Sequence, residues 1–298
     1  EFCTVPHIAM FSCTAGKERI MEFLQGNQRS RMLASAFIDA EGSEKTQASY
    51  LSELTRNLAV IAFNKKIVYV LSGNDFEFNL LDPKDPKLVS ISNSYRIESL
   101  IAPLIGAMLS VASRQFYLGN KIPFCFFLDE ATTFKIQDFD TMISVLREYL
   151  CSFTILTQSA SKIEKIYNKF DRASVESNLG NQFFGRTADV LALEVYQKVF
   201  GMHEKVKESI SKGVNASGNS KSKTVSKQKD NFYDTNFFTQ LEAGRFVGKG
   251  VKSNYKNFDL KFVMYDSSEE EALPIVKTVL PIDLETNYNK ILMDINNL

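Results

Sequence analysis

Metal-binding and redox patterns are missing from this sequence. Its four cysteines (Cys3, Cys13, Cys125, Cys151) include no CxxC pair, and His7 and His203 stand alone. Neither a zinc site nor a disulfide framework is indicated, and four reduced thiols in a cytoplasmic protein is the simpler reading. Charge of one sign is missing too. Lys+Arg and Asp+Glu both number 35, so any nucleic-acid surface has to be a local patch. The longest apolar run, Leu100 to Ala112, contains Pro103 and Gly106 and reads as too short to span a bilayer. Glu1-Phe2-Cys3 carries neither an initiator Met nor a signal-peptide pattern, which reads as the start of a piece of a longer protein. No internal repeat is visible. What remains is an ordinary globular composition, 44% hydrophobic and 23% charged, in 298 residues that can bury one or two cores.

Periodicity then divides the chain. Residues 1 to about 45 show weak helical periodicity and no clear chemistry. Leu51, Leu54, Leu58 and Ile61 recur at helical spacing and predict an amphipathic helix over 46–63. The β-branched and aromatic run Lys66 to Leu71 predicts a buried strand, and a Pro/Asp-rich turn leads to a second strand at Lys87 to Ser92. A long helix is expected over 96–117. The continuously apolar Pro123-Phe-Cys-Phe-Phe-Leu128 reads as a strand covered on both faces. Helices over 138–150, 160–178 and 187–200 alternate with strands at 152–156 and 182–184. That alternation predicts an α/β core, a parallel-dominated sheet flanked by helices. Lys205 to Lys229, with seven lysines and one acidic residue (Glu208), predicts a mobile loop that either touches DNA or is merely solvated. Strands at 244–248 and 257–265 are expected to return to the sheet, and Glu269 to Glu271 to begin a solvated helix.

One segment carries the chemistry most directly. Phe124 to Glu130, FCFFLDE, is an apolar strand ending in two carboxylates at the edge where open α/β sheets bind ligands. It fits a Walker B element, with Asp129 holding magnesium through its water shell and Glu130 polarising a water. The alternative is a buried strand that ends in an acidic turn. The neighbouring apolar strand ends in Thr157-Gln158, 29 residues after Asp129, where a polar side chain can sense a phosphate. Arg147, 11 residues before Gln158, is either a trans-acting arginine finger or a surface arginine at a helix end.

Five segments in order, from about Ser49 to Tyr265, resemble the type IV secretion and conjugation coupling proteins of conjugative plasmids and transposons. They are KKIVYVLSGNDFEFNLLDPKDPKLVSISNS, FCFFLDEATTF, REYLCSFTILTQSASKIEKIY, SNLGNQFFGRTAD, and SKSKTVSKQKD with LEAGRFVGKG. The resemblance implies a RecA-like P-loop ATPase core plus a partial helical side domain. The boundaries expected from it are a helical part over 1–60, the Walker B half of the motor over 61–204, a flexible loop over 205–231, and returning strands with a C-terminal segment over 232–298. It also implies ATP and Mg as cofactors. Asp129 and Glu130 become the metal-binding and catalytic carboxylates, Gln158 the sensor and Arg147 the finger. Asn181 and Arg186 fall on a polar turn near the nucleotide edge, with Arg186 a nucleotide contact. Thr132-Thr133-Phe134 departs from the small apolar loop usual there.

The family's phosphate-binding loop is absent. Gly16-Lys17 does not complete it: Phe11 stands where the first glycine belongs, and Glu18 replaces the hydroxyl residue and would repel phosphate. The expectation is a portion lacking Walker A and inactive alone. The full protein would be a hexameric motor at the cytoplasmic side of the bacterial inner membrane, with its membrane anchor outside this chain. It would deliver relaxase-bound single-stranded DNA to the components of a type IV secretion channel. A secretion-assembly ATPase of the same superfamily and a non-hydrolysing substrate adaptor are the alternatives.

Overall fold

The computed structural model describes residues 4–75, 77–215, 218–251, 256–268 and 278–297. The chain forms two compact units, one from the two ends of the sequence and one from residues 78–269.

The first unit is helical. Helices α1 (Val5–Thr14), α2 (Gly16–Gln25), α3 (Gln28–Leu33), α4 (Ser35–Asp39), α5 (Glu44–Ala62) and α6 (Lys65–Ser72) come from the N-terminal part. The last helix of the chain, α12 (Pro281–Asn296), packs on α6 and α1. Ala9, Met10, Ala62, Val68, Ile291 and Ile295 form its core. The amphipathic helix expected over 46–63 is α5. The strand expected at Lys66 to Leu71 is instead α6. Asn64 caps that helix, its side chain accepting from Lys66 N–H at 3.1 Å and Ile67 N–H at 3.2 Å. The adjacent Ile67 and Val68 are both buried while Val70 is exposed, which a helical face allows and a strand's alternation does not. Asn287 Nδ2, donating to Ser72 Oγ at 2.9 Å, and a Lys65–Glu285 ion pair tie α6 to α12. Gly16-Lys17 opens α2 directly after helix α1, so the strand that a phosphate-binding loop requires does not precede it.

The second unit holds the α/β core. Its sheet elements are β1 (Phe124–Leu128), β2 (Cys151–Ile155), β3 (Gln182–Phe184), β4 (Met202–Asn215), β5 (Gly218–Asn231), β6 (Arg245–Lys249) and β7 (Asn257–Lys261). Its helices are α7 (Glu98–Ser113), α8 (Phe139–Leu146), α9 (Ala160–Asn178), α10 (Val190–Phe200) and α11 (Thr235–Thr239). β1 and β2 pair in parallel, Phe124 opposite Cys151 through Leu128 opposite Ile155, and α8 makes the crossover a parallel pair requires. Phe126, Leu128, Phe139, Ile143, Leu146 and Val175 lie in the main core, with Phe153 and Ile155 packed against it. The Phe126 and Phe153 rings stack across the strands at 5.2 Å.

Four expectations change here. The strands at 182–184, 245–249 and 257–261 do not return to the parallel pair; they form a separate antiparallel sheet in the order β3-β6-β7 over its own core of Phe184, Leu193, Phe238, Leu241 and Val247. Lys87 to Ser92 has no ladder partner among the described residues and leaves Leu88 98% exposed, so it is not a strand. Lys205 to Lys229 is no loop but most of the β4–β5 hairpin, whose ladder runs unbroken from Met202–Asn231 to Asn215–Gly218. A backbone ladder needs no apolar side chains, so composition did not disclose it. The Leu100–Ala112 run extends upstream into one helical stretch, Tyr95–Ser113, long and apolar enough by length and composition to cross a membrane. In this fold Ala112 is in the main core, and Gly106 lies so close to the Lys135 carbonyl oxygen that a β-carbon would sit 2.3 Å from it. Glu269 to Glu271 and Cys3 lie outside the described residues.

Candidate functional site at the carboxyl edge of β1 and β2

β1 alternates. Phe126 and Leu128 point into the core, whereas Phe127 is 66% exposed and Cys125 is exposed. The expectation of cover on both faces therefore fails within this chain, because Ser152, Thr154 and Leu156 on the same side of β2 are exposed as well. The inward face anchors the strand and so fixes where its end delivers Asp129 and Glu130.

The ladder continues past the strand ends. Leu156 N–H donates to the Leu128 carbonyl at 2.9 Å, and Ala131 N–H donates to the Leu156 carbonyl at 3.1 Å. These bonds stitch the two carboxylates to the end of β2. Glu130 has φ +47°, a left-handed backbone that costs a non-glycine residue about 1–3 kcal/mol and collects at functional sites. Its N–H donates to Asp129 Oδ1 at 3.0 Å and its carbonyl accepts from Thr133 N–H at 2.9 Å, which hold that turn. Gln158 Nε2 then donates to Glu130 Oε1 at 3.0 Å. Asp129, Glu130 and Gln158 are all exposed. The structure thus brings these three predicted residues to one edge: an exposed carboxylate pair, one member of which is oriented by an amide.

Arg147 is elsewhere. It begins the short 3-10 turn Arg147–Tyr149 before β2, at the opposite edge of the strand pair, and is exposed. A five-residue strand separates the edges by about 16 Å. Asn181 serves the antiparallel sheet, its Oδ1 accepting from Val251 N–H at 3.1 Å. Arg186 is exposed in the β3–α10 connection and makes no side-chain bond among the described residues.

Sequence reasoning missed the most highly bonded carboxylate near this edge. Asp189, the N-cap of α10, accepts from Ser159 Oγ at 2.6 Å and Ser161 N–H at 3.0 Å through Oδ2. Its Oδ1 accepts from Ser161 Oγ at 2.7 Å and Leu191 N–H at 3.1 Å. Desolvation pushes this carboxyl up, but the Ser159, Ser161 and Leu191 hydrogen bonds outweigh it and hold Asp189 well below the usual carboxylate range. An Asp preceding a helical run is a legible cap signal. Its reach to a second helix 30 residues earlier is not. In β2 itself, burial first and the nearby Cys125 second push the Cys151 thiol up to about 12, so that cysteine is inert packing.

Residues 123–236, which include this edge, match the TraG-D_C family model, described as the TraM recognition site of TraD and TraG. Solved structures give the fold. The unbound conjugative coupling protein TrwB superposes with a TM-score of 0.69 at 15% identity, covering 90% of this chain and 60% of that one. TrwB with the non-hydrolysable GTP analogue GDPNP gives 0.67 at 14% identity, again over 90% and 60%. TrwB with ADP and magnesium gives 0.66 at 13% identity over the same shares. The chain therefore shares the RecA-like fold of these structures and spans about three fifths of the solved chains it matches. No curated protein matches it. Residues 123–236 are thus similar to the region of TraD and TraG that the family model describes.

Proposed function

We propose that this chain supplies the metal-and-water half of an ATP-driven coupling motor that delivers relaxase-bound single-stranded DNA to a type IV secretion channel. The observation that carries this is the Gln158–Glu130 hydrogen bond at the carboxyl edge of a parallel strand pair. Asp129, whose Oδ2 accepts no hydrogen bond among the described residues, would hold Mg through water, and one or two carboxylates with retained waters suit that ion. Magnesium would neutralise charge developing on the phosphates. Glu130 polarises the attacking water, Gln158 fixes the carboxylate's orientation, and Arg186 is an available phosphate contact. The described residues contain no glycine-rich phosphate cradle, so nucleotide binding needs strands beyond those seen here. The open face of β1 and β2 is where the crossover helices of such strands would pack, since helices normally cover both faces of a parallel sheet. Arg147, remote from its own Glu130, suits a finger that reaches a neighbouring subunit of a hexameric ring. The working place of this part is the cytoplasmic side of the inner membrane, with the anchor elsewhere in the protein.

The test is ATP hydrolysis by the complete gene product, with and without single-stranded DNA. Glu130→Gln is expected to lower turnover about 10²–10⁴-fold and Arg147→Ala about 10³-fold. Mixing the two variants should restore part of the activity, because a mixed ring contains interfaces with both residues intact. A second reading has its own support. The family model that matches residues 123–236 is described by protein recognition rather than hydrolysis. A correctly assembled product that binds its protein substrate but shows no turnover is then a non-hydrolysing adaptor.

A further inference from the structure

We infer that Asp189 is a positioning residue for Gln158: its carboxylate clamps the start of α9 to the start of α10 and so holds the Gln158 amide on Glu130. The inference rests on the reading of the Glu130 edge given above. Four donors converge on this one carboxylate, and no lysine or arginine pairs with it among the described residues. Two helix N-termini, α9 and α10, supply the compensating positive potential. Gln158 is the residue immediately before Ser159, which the clamp grips through its hydroxyl. Ser159 also closes a tight local turn, its N–H donating to Thr157 Oγ1 at 3.3 Å and its carbonyl accepting from that hydroxyl at 3.2 Å. Gln158 is thus pinned on both sides, and its own side chain completes the path at 3.0 Å from Glu130. The same carboxylate ends the connection that carries Arg186, so the turn after β3 and the carboxyl edge of β2 move together. Two predicted nucleotide contacts that are far apart in sequence share one anchor.

The test uses this chain labelled with ¹⁵N, with the Gln158 side-chain amide assigned by its loss in Gln158→Ala. Solvent exchange of that amide is expected to quicken about two- to tenfold in Asp189→Ala, as for loss of one net hydrogen bond. Asp189→Asn, which keeps one acceptor oxygen, should give a smaller acceleration. Ser161→Ala is the gentler variant should Asp189→Ala not fold. An unchanged Gln158 amide in a folded Asp189→Ala or Ser161→Ala chain overturns the inference and leaves Asp189 as a helix cap alone. In the complete gene product, Asp189→Asn is expected to lower kcat for ATP about 10–100-fold with KM within about twofold. A kcat equal to wild type overturns the positioning role. If the wild-type product does not hydrolyse ATP at all, the motor reading fails, while the amide measurement still decides the clamp.

Discussion

The β1–β2 pair and the β4–β5 hairpin are opposite ways of making two strands stable. β1 and β2 are five residues each and almost wholly apolar on one face. β4 and β5 are fourteen residues each, with Met202, Val206 and Val225 more than half exposed. The hairpin has far more ladder bonds, yet a two-stranded hairpin alone is marginal in water. The short pair has a face of phenylalanines stacked onto α8 and α9. What differs is side-chain burial, and it places the chemistry: Asp129, Glu130 and Gln158 stand on the anchored pair, where a 3.0 Å bond can be kept.

The largest effects should separate these regions. Phe126→Ala, which removes a ring that contacts Phe116, Phe124 and Phe153, is expected to cost about 3–5 kcal/mol in urea unfolding. Val206→Ala in the hairpin should stay within about 0.5 kcal/mol. Equal costs would break the comparison. Next comes the ion-pair contrast. Arg172 is buried in α9 and binds Glu164 at 3.1 Å and Glu176 at 2.8 Å, on either side of a break at Asn168. Both carboxylates are partly exposed, so Arg172→Ala is expected to cost about 2 kcal/mol rather than the full buried-pair penalty. Glu204→Gln, which removes the exposed Lys227 pair of the hairpin, should fall below about 0.5 kcal/mol.

Smaller effects sharpen the view of the site's supports. Gly106→Ala drives a β-carbon into the Lys135 carbonyl, and the strain should exceed the gain in helix propensity, for a net loss of about 1 kcal/mol in thermal unfolding. Asp189 gives a signal that is best read against pH. Its folded-state carboxyl is depressed, so the stability it contributes is present above the unfolded value, about 4, and is lost as pH falls toward the folded value. The stability gap between wild type and Asp189→Asn should therefore be constant at neutral pH and narrow below about pH 4. A gap independent of pH would mean that the carboxylate's charge is not what the clamp uses.

Much of this site was readable beforehand. FCFFLDE and the strand ending at Gln158 carry their own signals, an apolar run that stops at polar residues, and the structure puts their ends together. The hairpin was not readable, since Ser, Lys and Asn side chains do not reveal a backbone ladder. Lys66 to Leu71 reads as a strand because its β-branched residues suit one, whereas Asn64 and the buried pair Ile67–Val68 select a helix. The open face of β1 was misread because an apolar run names what prefers cover, not whether this chain provides it.

Local pattern by itself therefore determined which segments form the βαβ core and which three side chains lie at its edge, because strand ends and burial preference are short-range properties. Only the tertiary structure decided that β3, β6 and β7 form their own sheet, that Arg147 and Glu130 end up at opposite edges of the paired strands, and that Asp189 reaches Ser159 and Ser161. Those depend on pairing and packing between residues far apart in the chain, where the free energy of contact, not local preference, selects the partner.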